Sequence, residues 1–305
     1  MTSFSRAGVS EKTRENIAGY LFIAGFMVVY LVFTLWPIID AFRISFCQWN
    51  IVGSRAFIGL ANYKSVLQDR EFWASLWHTI QFLLYSTLPL MAVSFLMAVL
   101  VNSRHLRARS LFRGVYFSPN VLTVTVISYV WSNMLSPYNG IVNKGLKALG
   151  LLAPGMRSQI LWTTDPNVVW WSITLITLWW TMGYNMIMYL SAMQNIPTSI
   201  YEAAELDGAN GFQQLTKITF PCLREMHITL LFLQIIASFK VFSQIYLVTN
   251  GGPAGKTRAF IQYIYEMAFD KFLIGKGCAA SILFFVVIFV VSFSQMHFMK
   301  RSDKE

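Results

Sequence analysis

The chain has 305 residues, of which 55% are hydrophobic and only 12% are charged, and its mean hydropathy is +0.51. Ordinary soluble domains have a charged fraction of about 25%, so this composition excludes a typical soluble globular protein. A net charge of +10 could suggest a nucleic-acid partner, but the positions of the basic residues favour a membrane protein and no nucleic acid.

Six strongly apolar stretches follow one another along the chain. A helix of about 20 apolar residues crosses the hydrocarbon core of a bilayer, which is about 30 Å thick. Helices satisfy their own backbone polar groups in lipid, so an all-α polytopic membrane protein is expected. The six predicted transmembrane helices are Ile17–Ile39, Trp77–Val101, Val115–Leu135, Val168–Met193, His227–Val248 and Phe272–Met299.

The distribution of basic residues predicts the orientation in the membrane. A compact cluster, Arg104, Arg107, Arg109 and Arg113, follows the second predicted span, and further basic residues flank the first and last spans. Short loops rich in Arg and Lys stay cytoplasmic, so both termini are predicted to be cytoplasmic. The predicted organisation is a cytoplasmic N-terminal segment (1–16), a six-span domain (17–299) with a cytoplasmic loop at about 194–226, and a cytoplasmic tail (300–305).

The sequence contains no recognisable catalytic or metal-binding arrangement. The first apolar run is too long for the apolar region of a signal peptide and lacks a small-residue cleavage site, so an uncleaved span is expected. Cys47, Cys222 and Cys278 are scattered and form no evident pair. The four histidines lack metal-ligand spacing, and we predict no catalytic residue, no metal and no cofactor in this chain.

A polar, helix-prone segment lies between the fourth and fifth predicted spans. It is long for a membrane-protein loop, and Gly208 lies in its middle, so it predicts two short helices bent at that glycine. Ser199 is a candidate N-cap, and Glu202, three residues later, would complete a capping box. Such a pair of helices is suited to docking onto another protein.

The same segment contains Glu202-Ala203-Ala204, Gly208, Ile218 and Pro221 at offsets that resemble the coupling motif of ABC importer permeases. Phe220 departs from the family, which usually has Leu there. The resemblance implies a type I ABC importer permease fold. It also implies that the residues that contact the ATPase are Glu202, Ala203, Ala204, Asp207, Gly208, Ile218 and Pro221.

The resemblance extends over almost the whole chain. Phe57-Ile58-Gly59-Leu60-Ala61-Asn62-Tyr63 and Gly251-Gly252-Pro253 are similar to carbohydrate-uptake permeases of the maltose, lactose and glycerol-phosphate type, first permease of the pair. This implies a second permease subunit, two cytoplasmic ATPase subunits that bind ATP and Mg, and an extracytoplasmic solute-binding protein as partners, besides membrane lipid. It also implies a multi-pass protein of the bacterial plasma membrane.

Residues 250–257 nearly match a phosphate-binding loop. The match fails because Asn250 replaces the first glycine and Pro253 has no N–H to offer a phosphate. No strand pattern precedes the segment, and it is predicted to lie outside the cell. An ordinary turn is therefore expected, and ATP hydrolysis is assigned to separate subunits.

Polar and aromatic residues of the fourth and fifth spans predict a path for the solute. Polar groups at membrane depth normally face protein or water, and Gln234 and Ser238 share one helix face. By resemblance to the maltose-type family, Trp179, Tyr184, Gln234 and Ser238 fall at sugar-contacting positions. The full predicted path is Trp179, Tyr184, Asn185, Gln234, Ser238, Lys240 and Gln244.

Several alternatives remain open for these residues and for the solute. The aromatic rings could simply pack between helices, and Lys240 could either pair with an anionic substrate or interact with backbone carbonyls. The absence of Arg from the path favours a neutral oligosaccharide over sn-glycerol 3-phosphate, and another polar solute stays an alternative. A stand-alone secondary transporter would need acidic residues within its spans, and the predicted spans contain hardly any.

Overall fold

The computed structural model describes residues 11–50, 55–103, 106–153 and 159–302. The chain is mostly helical, as the composition predicts, with one short antiparallel pair of strands, β1 (Cys47–Gln48) and β2 (Ala56–Phe57). It divides into two compact units: Met1–Val66 with Met267–Ile282, and Leu67–Glu266 with Leu283–Glu305. Residues 1–10, Arg104 and residues 303–305, on which part of the predicted topology rests, lie outside the described residues.

The first unit begins with a long apolar helical stretch. It consists of α1 (Glu11–Tyr30), a π-helical turn (Leu31–Leu35) and α2 (Trp36–Ser45). Its large apolar side chains are exposed, with Phe22 at 90%, as expected for a surface that contacts lipid or another protein. The strands and α3 (Ala61–Leu67) follow, and the side-chain amide of Asn62 donates hydrogen bonds to the carbonyls of Ser45 and Cys47 at 2.9 Å.

The second unit contains most of the remaining helices. Its N-terminal part has α4 (Arg70–Asn102), α5 (Arg109–Val121), α6 (Val124–Met134), α7 (Ile141–Ala148) and α8 (Val169–Gln194). It continues with α9 (Thr198–Leu206), α10 (Gly211–Gln214), a π-helical turn (Leu215–Thr219), α11 (Phe220–Cys222), α12 (Arg224–Phe239), α13 (Ser243–Thr249) and α14 (Phe260–Tyr265). A π-helical turn (Glu266–Asp270) and α15 (Ile274–Ser302) complete the chain.

Helices α4, α8 and α12 form the centre of the second unit. Their contacts bury Leu230, Met186 and Tyr189, each at most 1% exposed. The hydroxyl of Ser94 on α4 donates to the carbonyl of Met182 on α8 at 3.1 Å. A side chain at Gly183 would collide with the backbone carbonyl of Tyr116, so α5 can approach α8 this closely only because that position is glycine.

Three helical stretches among the described residues are long and apolar enough to span a membrane: 19–45, 70–102 and 274–297. A fourth span is obtained if Gly211–Cys222 and Arg224–Phe239, which are bent by 64°, are counted together. Helix α8 has 26 residues but is not among them, because Trp, Thr, Tyr and Asn interrupt its apolar residues. The number of six spans and the domain boundaries therefore stay predictions.

Two predicted spans are not continuous helices. Val115–Leu135 is broken between α5 and α6, where Leu122 and Thr123 have extended ψ values of 145° and 148°. Pro119 lies in the last turn of α5 and has no N–H to donate to the helical hydrogen bonds, which favours the end of the helix there. His227–Val248 is broken between α12 and α13, where Phe242 has φ −147° and ψ −69°.

Candidate functional site

A cavity of about 340 Å³ lies beside the break between α12 and α13. We call it the helix cavity, because α4, α6, α8, α12 and α13 all contribute to its wall. It is lined by Phe82, Ser86, Val124, Thr177, Trp180, Thr181, Gln234, Ala237, Ser238, Lys240, Val241, Phe242, Ser243 and Gln244. Its volume lies at the lower end of the range of small-molecule sites.

Four of the seven predicted path residues line this cavity: Gln234, Ser238, Lys240 and Gln244. Gln244 is buried and donates from Nε2 to the hydroxyl oxygen of Thr177 at 3.0 Å. Ser238 and Thr87 are both buried, and their hydroxyl oxygens lie 3.5 Å apart. The break thus brings amide and hydroxyl groups of several helices to one cavity.

The structure connects a fifth predicted residue, Asn185, to this wall. Asn185 is fully buried, and its Oδ1 accepts a hydrogen bond from Gln234 Nε2 at 3.1 Å. Its Nδ2 lies 3.3 Å from the carbonyl of Thr181. Asn185 therefore orients the Gln234 amide from behind rather than facing the cavity itself.

Trp179 and Tyr184, the other two predicted path residues, lie elsewhere on α8. Trp179 packs edge-to-face against Trp131 of α6, with ring centroids 5.8 Å apart. Tyr184 is 40% exposed. Neither is among the residues that line the helix cavity, and their contact with a solute stays a prediction.

The full predicted path does not include Thr177, Trp180 or Thr181, although all three line the cavity. Their spacing of three and four residues places them on one face of α8, and this periodicity is the signal that could have found them. In the described part of the chain the buried Nε1 of Trp180 has no hydrogen-bond partner. A buried N–H without a partner is unfavourable, and a solute in the cavity is a possible acceptor.

Lys240 is exposed and ends α12, where its backbone N–H bonds to the carbonyl of Ala237 at 3.1 Å. It is the one charged residue among those that line the cavity in the described part of the chain. Among the residues that the structure describes, the cavity wall therefore has one positive charge and no carboxylate.

The segment with the coupling-like motif has the shape that its sequence predicts. Helix α9 ends at Leu206, and Gly208 turns the chain with φ +78°, a conformation that favours glycine. Helix α10 then begins with a capping box: Asn210 Oδ1 accepts from the Gln213 N–H at 2.9 Å, and Gln213 Oε1 accepts from the Asn210 N–H at 2.8 Å. The segment is thus a helical hairpin.

The predicted capping box at Ser199 and Glu202 is wrong. Helix α9 begins at Thr198, with Pro197 as its N-cap, and no side chain caps it. Ser199 is therefore already inside the first turn. Pro197 has an extended ψ of 133° and occupies the N-cap position, so Ser199, two residues later, is a helical residue and not the cap.

The predicted coupling residues are distributed over the surface of this hairpin. Glu202, Ala203, Asp207, Gly208 and Pro221 are exposed, whereas Ala204 and Ile218 are half-buried. Two large apolar residues flank the turn and were not predicted: Leu206 is 90% exposed and Phe212 is 73% exposed. Their exposure places two large apolar side chains at the tip of the hairpin, beside the exposed Asp207, as expected of a surface that contacts a protein.

Four aromatic residues connect the hairpin to the helices. The Phe220 ring lies 4.4 Å from His227 and 5.6 Å from Phe95, measured between ring centroids. The carbonyl of Phe220 can only accept a hydrogen bond, so His227 Nε2, 3.2 Å away, carries a proton. In the neutral imidazole, Nδ1 then accepts from the Tyr189 hydroxyl at 2.8 Å. We call these residues the aromatic cluster.

The segment from 250 to 257 forms the expected turn. Asn250 has φ +48° and Gly251 has φ +75°, and the hydroxyl of Thr257 donates to the carbonyl of Gly252 at 2.6 Å. Thr257 thus serves the turn itself. Nearby, Arg258 Nε lies 3.1 Å from Glu266 Oε2 in an ion pair.

Tyr263 follows this turn and is fully buried. Its hydroxyl donates to Asp69 Oδ2 at 2.9 Å, next to the start of α4. Burial raises the pKa of Tyr263, and the Asp69 carboxylate raises it further. Tyr263 therefore stays a neutral hydrogen-bond donor at physiological pH and fixes α14 to the N-terminal end of α4.

Comparison with known proteins identifies the family. Residues 68–304 match the family described as binding-protein-dependent transport system inner membrane component. The chain is 32% identical over 279 residues to the arabinooligosaccharides transport system permease protein of Bacillus subtilis. The alignment covers 91% of this chain and 87% of the relative. It is 30% identical over 310 residues to the lactose transport system permease protein of Rhizobium radiobacter, over the full length of both.

A solved structure has the same fold. It is a bacterial alginate ABC transporter in complex with an alginate pentasaccharide-bound periplasmic protein. One of its chains superposes with a TM-score of 0.83 at 23% identity, covering 95% of this chain and 96% of that chain. Together, these comparisons confirm the predicted resemblance to ABC importer permeases and the predicted permease fold.

Proposed function

Because the chain belongs to the family of binding-protein-dependent transport system inner membrane components, we propose that it is the sugar-translocating permease subunit of an ABC importer. The relatives named above are permease proteins for arabinooligosaccharides and lactose, and the solved structure with the same fold is an alginate ABC transporter. A sugar, in particular an oligosaccharide, is therefore the substrate class that these relatives support.

The helix cavity is the observation that carries this proposal. Irregular backbone at membrane depth is tolerated only where it is buried in protein or lines a water-filled cavity. The break from Lys240 to Phe242 meets this condition, since all three of its residues line the helix cavity. Gln234, Gln244 and Thr177 provide neutral hydrogen-bonding groups there, while Phe82 and Trp180 provide apolar rings. This combination fits the hydroxyls and the apolar faces of a sugar.

The hairpin is the proposed contact with the ATPase. Its exposed tip, with Leu206 and Phe212, would enter a cleft of the cytoplasmic ATPase subunit. The hydroxyl oxygens of Tyr201 and Thr219 lie 2.9 Å apart and join its two arms, so the hairpin would move as one body. The aromatic cluster would transmit that movement to α4, α8 and α12, a mechanical coupling between two states.

The proposed assembly contains this chain, a second permease subunit, two ATPase subunits and an extracytoplasmic solute-binding protein. The ATPase subunits would bind ATP and Mg. The proposed permease has six spans in a bacterial plasma membrane, with both termini and the hairpin in the cytoplasm. The Arg-rich connection after α4 supports this orientation.

Uptake by the complete importer in proteoliposomes tests this function. We expect ATP-dependent accumulation of at least one of lactose, arabinotriose and an alginate trisaccharide, and only when the solute-binding protein and the ATPase are present. Accumulation driven by this chain alone, without ATPase subunits, would contradict the proposal and favour a secondary transporter.

A second candidate substrate class, an anionic solute such as a uronate oligosaccharide or sn-glycerol 3-phosphate, is favoured by Lys240. Lys240 is the one charged residue among those that line the helix cavity in the described ranges. A cation without a neighbouring carboxylate attracts an anionic group, and the low local dielectric strengthens this attraction.

The variant Lys240→Gln distinguishes neutral from anionic substrates. If the substrate is neutral, its KM should change by less than about twofold, because no ion pair is lost. If the substrate is anionic, the loss of a charge-assisted contact of about 1.5–3 kcal/mol should raise KM by about tenfold or more. Uptake of the neutral and the acidic trisaccharide, measured in parallel, provides the comparison.

A further inference from the structure

A second cavity in the same unit is not part of the site described above. It has a volume of about 380 Å³ and lies between residues 77–85 of α4, the first turn of α8 and the turn that contains Lys256. We call it the aromatic cavity, because the residues that line it include Trp77, Tyr85, Trp170 and Trp171. Trp77 and Trp171 are 55% and 58% exposed, so their rings are accessible.

The aromatic rings of this cavity have a fixed arrangement. Tyr85 and Trp170 are stacked, with an interplanar angle of 6° and ring centroids 6.3 Å apart. Trp171 meets Tyr85 edge-to-face at 5.3 Å. Trp170 is only 8% exposed, so it is held by the core, whereas Trp171 is 58% exposed and lies at the rim. Flat aromatic faces at such a rim suit the apolar face of a pyranose ring.

Polar groups surround these rings. Gln81, Asn167 and His78 also line the cavity. In the ranges that the structure describes, no hydrogen bond is formed by the side-chain amides of Gln81 and Asn167. His78 Nδ1 lies 3.3 Å from the carbonyl of Arg258 and therefore carries a proton, which leaves Nε2 as an acceptor in the neutral ring. Donors and acceptors beside aromatic faces match the two kinds of surface that a sugar presents.

A contact between two aromatic rings connects the walls of the two cavities. Phe82 lines the helix cavity and Trp170 lines the aromatic cavity, and their ring centroids lie 6.5 Å apart. Gln81 and Tyr85 of α4 face the aromatic cavity, whereas the residues next to them, Phe82 and Ser86, face the helix cavity. Both rings belong to a buried apolar cluster with Val169, Ile173 and Ile245, so a solute that moved between the cavities would have to displace part of this cluster.

We propose that the aromatic cavity is a carbohydrate-docking subsite, from which the sugar reaches the helix cavity when the contact between Phe82 and Trp170 opens. The proposal rests on the proposed function, which places the N-terminal ends of α4 and α8 on the extracytoplasmic side. The alternative occupant is the solute-binding protein, whose surface could cover the exposed tryptophans.

Protection of a single cysteine from labelling tests this subsite. In a background with Cys47, Cys222 and Cys278 replaced by Ser, Asn167→Cys places a thiol in the wall of the aromatic cavity. Tyr138→Cys, at a position that is 59% exposed and lies outside this wall, is the matched control. The permease and ATPase subunits in proteoliposomes are treated with a membrane-impermeant maleimide, in the absence and in the presence of lactose, arabinotriose or an alginate trisaccharide. The same labelling is then repeated with the solute-binding protein added.

A transported sugar should slow the labelling of Asn167→Cys, by about threefold at a concentration of twice the Kd, because only a third of the sites then stay free. Tyr138→Cys should label at an unchanged rate. Adding Trp171→Ala should abolish the protection, because it removes the exposed ring at the rim of the aromatic cavity.

Protection that appears only with the solute-binding protein, or that survives Trp171→Ala, would overturn the docking subsite. So would the absence of protection by a sugar that the importer transports, and in these three cases the proposed function would still stand. If the unaltered importer transported none of the sugars, the proposed function would fail for them and the subsite with it.

Discussion

The hairpin and the helix cavity differ in how the chain builds them. The hairpin is one continuous segment from α9 to α11, and its shape depends on Gly208 and on caps within a few residues. The helix cavity collects side chains from Phe82 to Gln244, and its wall depends on how five helices pack. The hairpin is therefore stabilised by local geometry, whereas the cavity depends on tertiary contacts.

This difference has a mechanical meaning. A locally determined hairpin keeps its shape while it moves, which suits a part that receives force. A cavity whose wall is held by single contacts between helices, such as the one between Gln234 and Asn185, changes when those helices shift. Variants of the hairpin should thus uncouple transport from ATP hydrolysis, whereas variants of the cavity should change sugar affinity.

The largest effect is expected for Gly208→Pro. Gly208 has φ +78°, which proline cannot adopt, and its N–H donates to the Glu205 carbonyl at 3.0 Å. A proline here costs about 3 kcal/mol or more and should distort the turn. Uptake should fall to background, while the importer still inserts, assembles and hydrolyses ATP.

Gly211→Ala is the control for this variant, because a Cβ at Gly211 meets no neighbouring atom. Gly211→Ala should therefore transport normally. The measurement is sugar uptake and ATP hydrolysis in the same proteoliposomes. Normal uptake by Gly208→Pro would refute the role of the turn.

The next largest effect is expected for Gln234→Leu. It leaves the fully buried Asn185 Oδ1 without a partner, which costs about 1–3 kcal/mol of stability. It also removes a polar group from the cavity wall, so KM for the sugar should rise by about tenfold. The double variant Asn185→Leu with Gln234→Leu should recover most of the lost thermal stability but none of the affinity. Recovery of both would mean that Gln234 only supports the fold.

A smaller effect on KM is expected for Trp180→Phe, and Trp179→Phe at the neighbouring position of α8 is its matched control. Trp180→Phe removes the buried N–H that lacks a protein partner, so it should raise KM by about fivefold, the equivalent of one hydrogen bond of about 1 kcal/mol, without loss of stability. Trp179→Phe alters a ring that packs on Trp131, so it should lower the Tm slightly and leave KM within about twofold. The opposite pattern would show that Trp179 is the residue on the solute path.

The smallest effect is expected for Phe220→Leu, which restores the residue typical of the family. The ring contacts with His227 and Phe95 are lost, and an aromatic pair contributes about 0.5–1.5 kcal/mol. We expect the ATP hydrolysed per sugar transported to rise by about twofold. An unchanged ratio would show that the aromatic cluster does not transmit the movement of the hairpin.

Sequence reasoning was accurate where the signal is local and inaccurate where it is not. Gly208 lies in a polar segment between two helix-prone stretches and has φ +78°, so the turn of the hairpin follows from local sequence. The helix breaks at Leu122 and at Phe242 were missed because both lie in apolar runs, and composition gives no sign of a change in ψ. The start of α9 was misplaced by two residues because Pro197 and Ser199 are both plausible at a helix start.

The residue sequence alone determined the membrane character, the mostly helical fold, the family and the bent hairpin, because hydropathy, periodicity and turn residues act over short distances. Only the tertiary structure decided which polar residues share the helix cavity and that Trp180 lines it while Trp179 packs on Trp131. Neighbouring positions on a helix differ by about 100° in direction, so a sequence can place both rings on α8 but only packing decides which one faces the cavity.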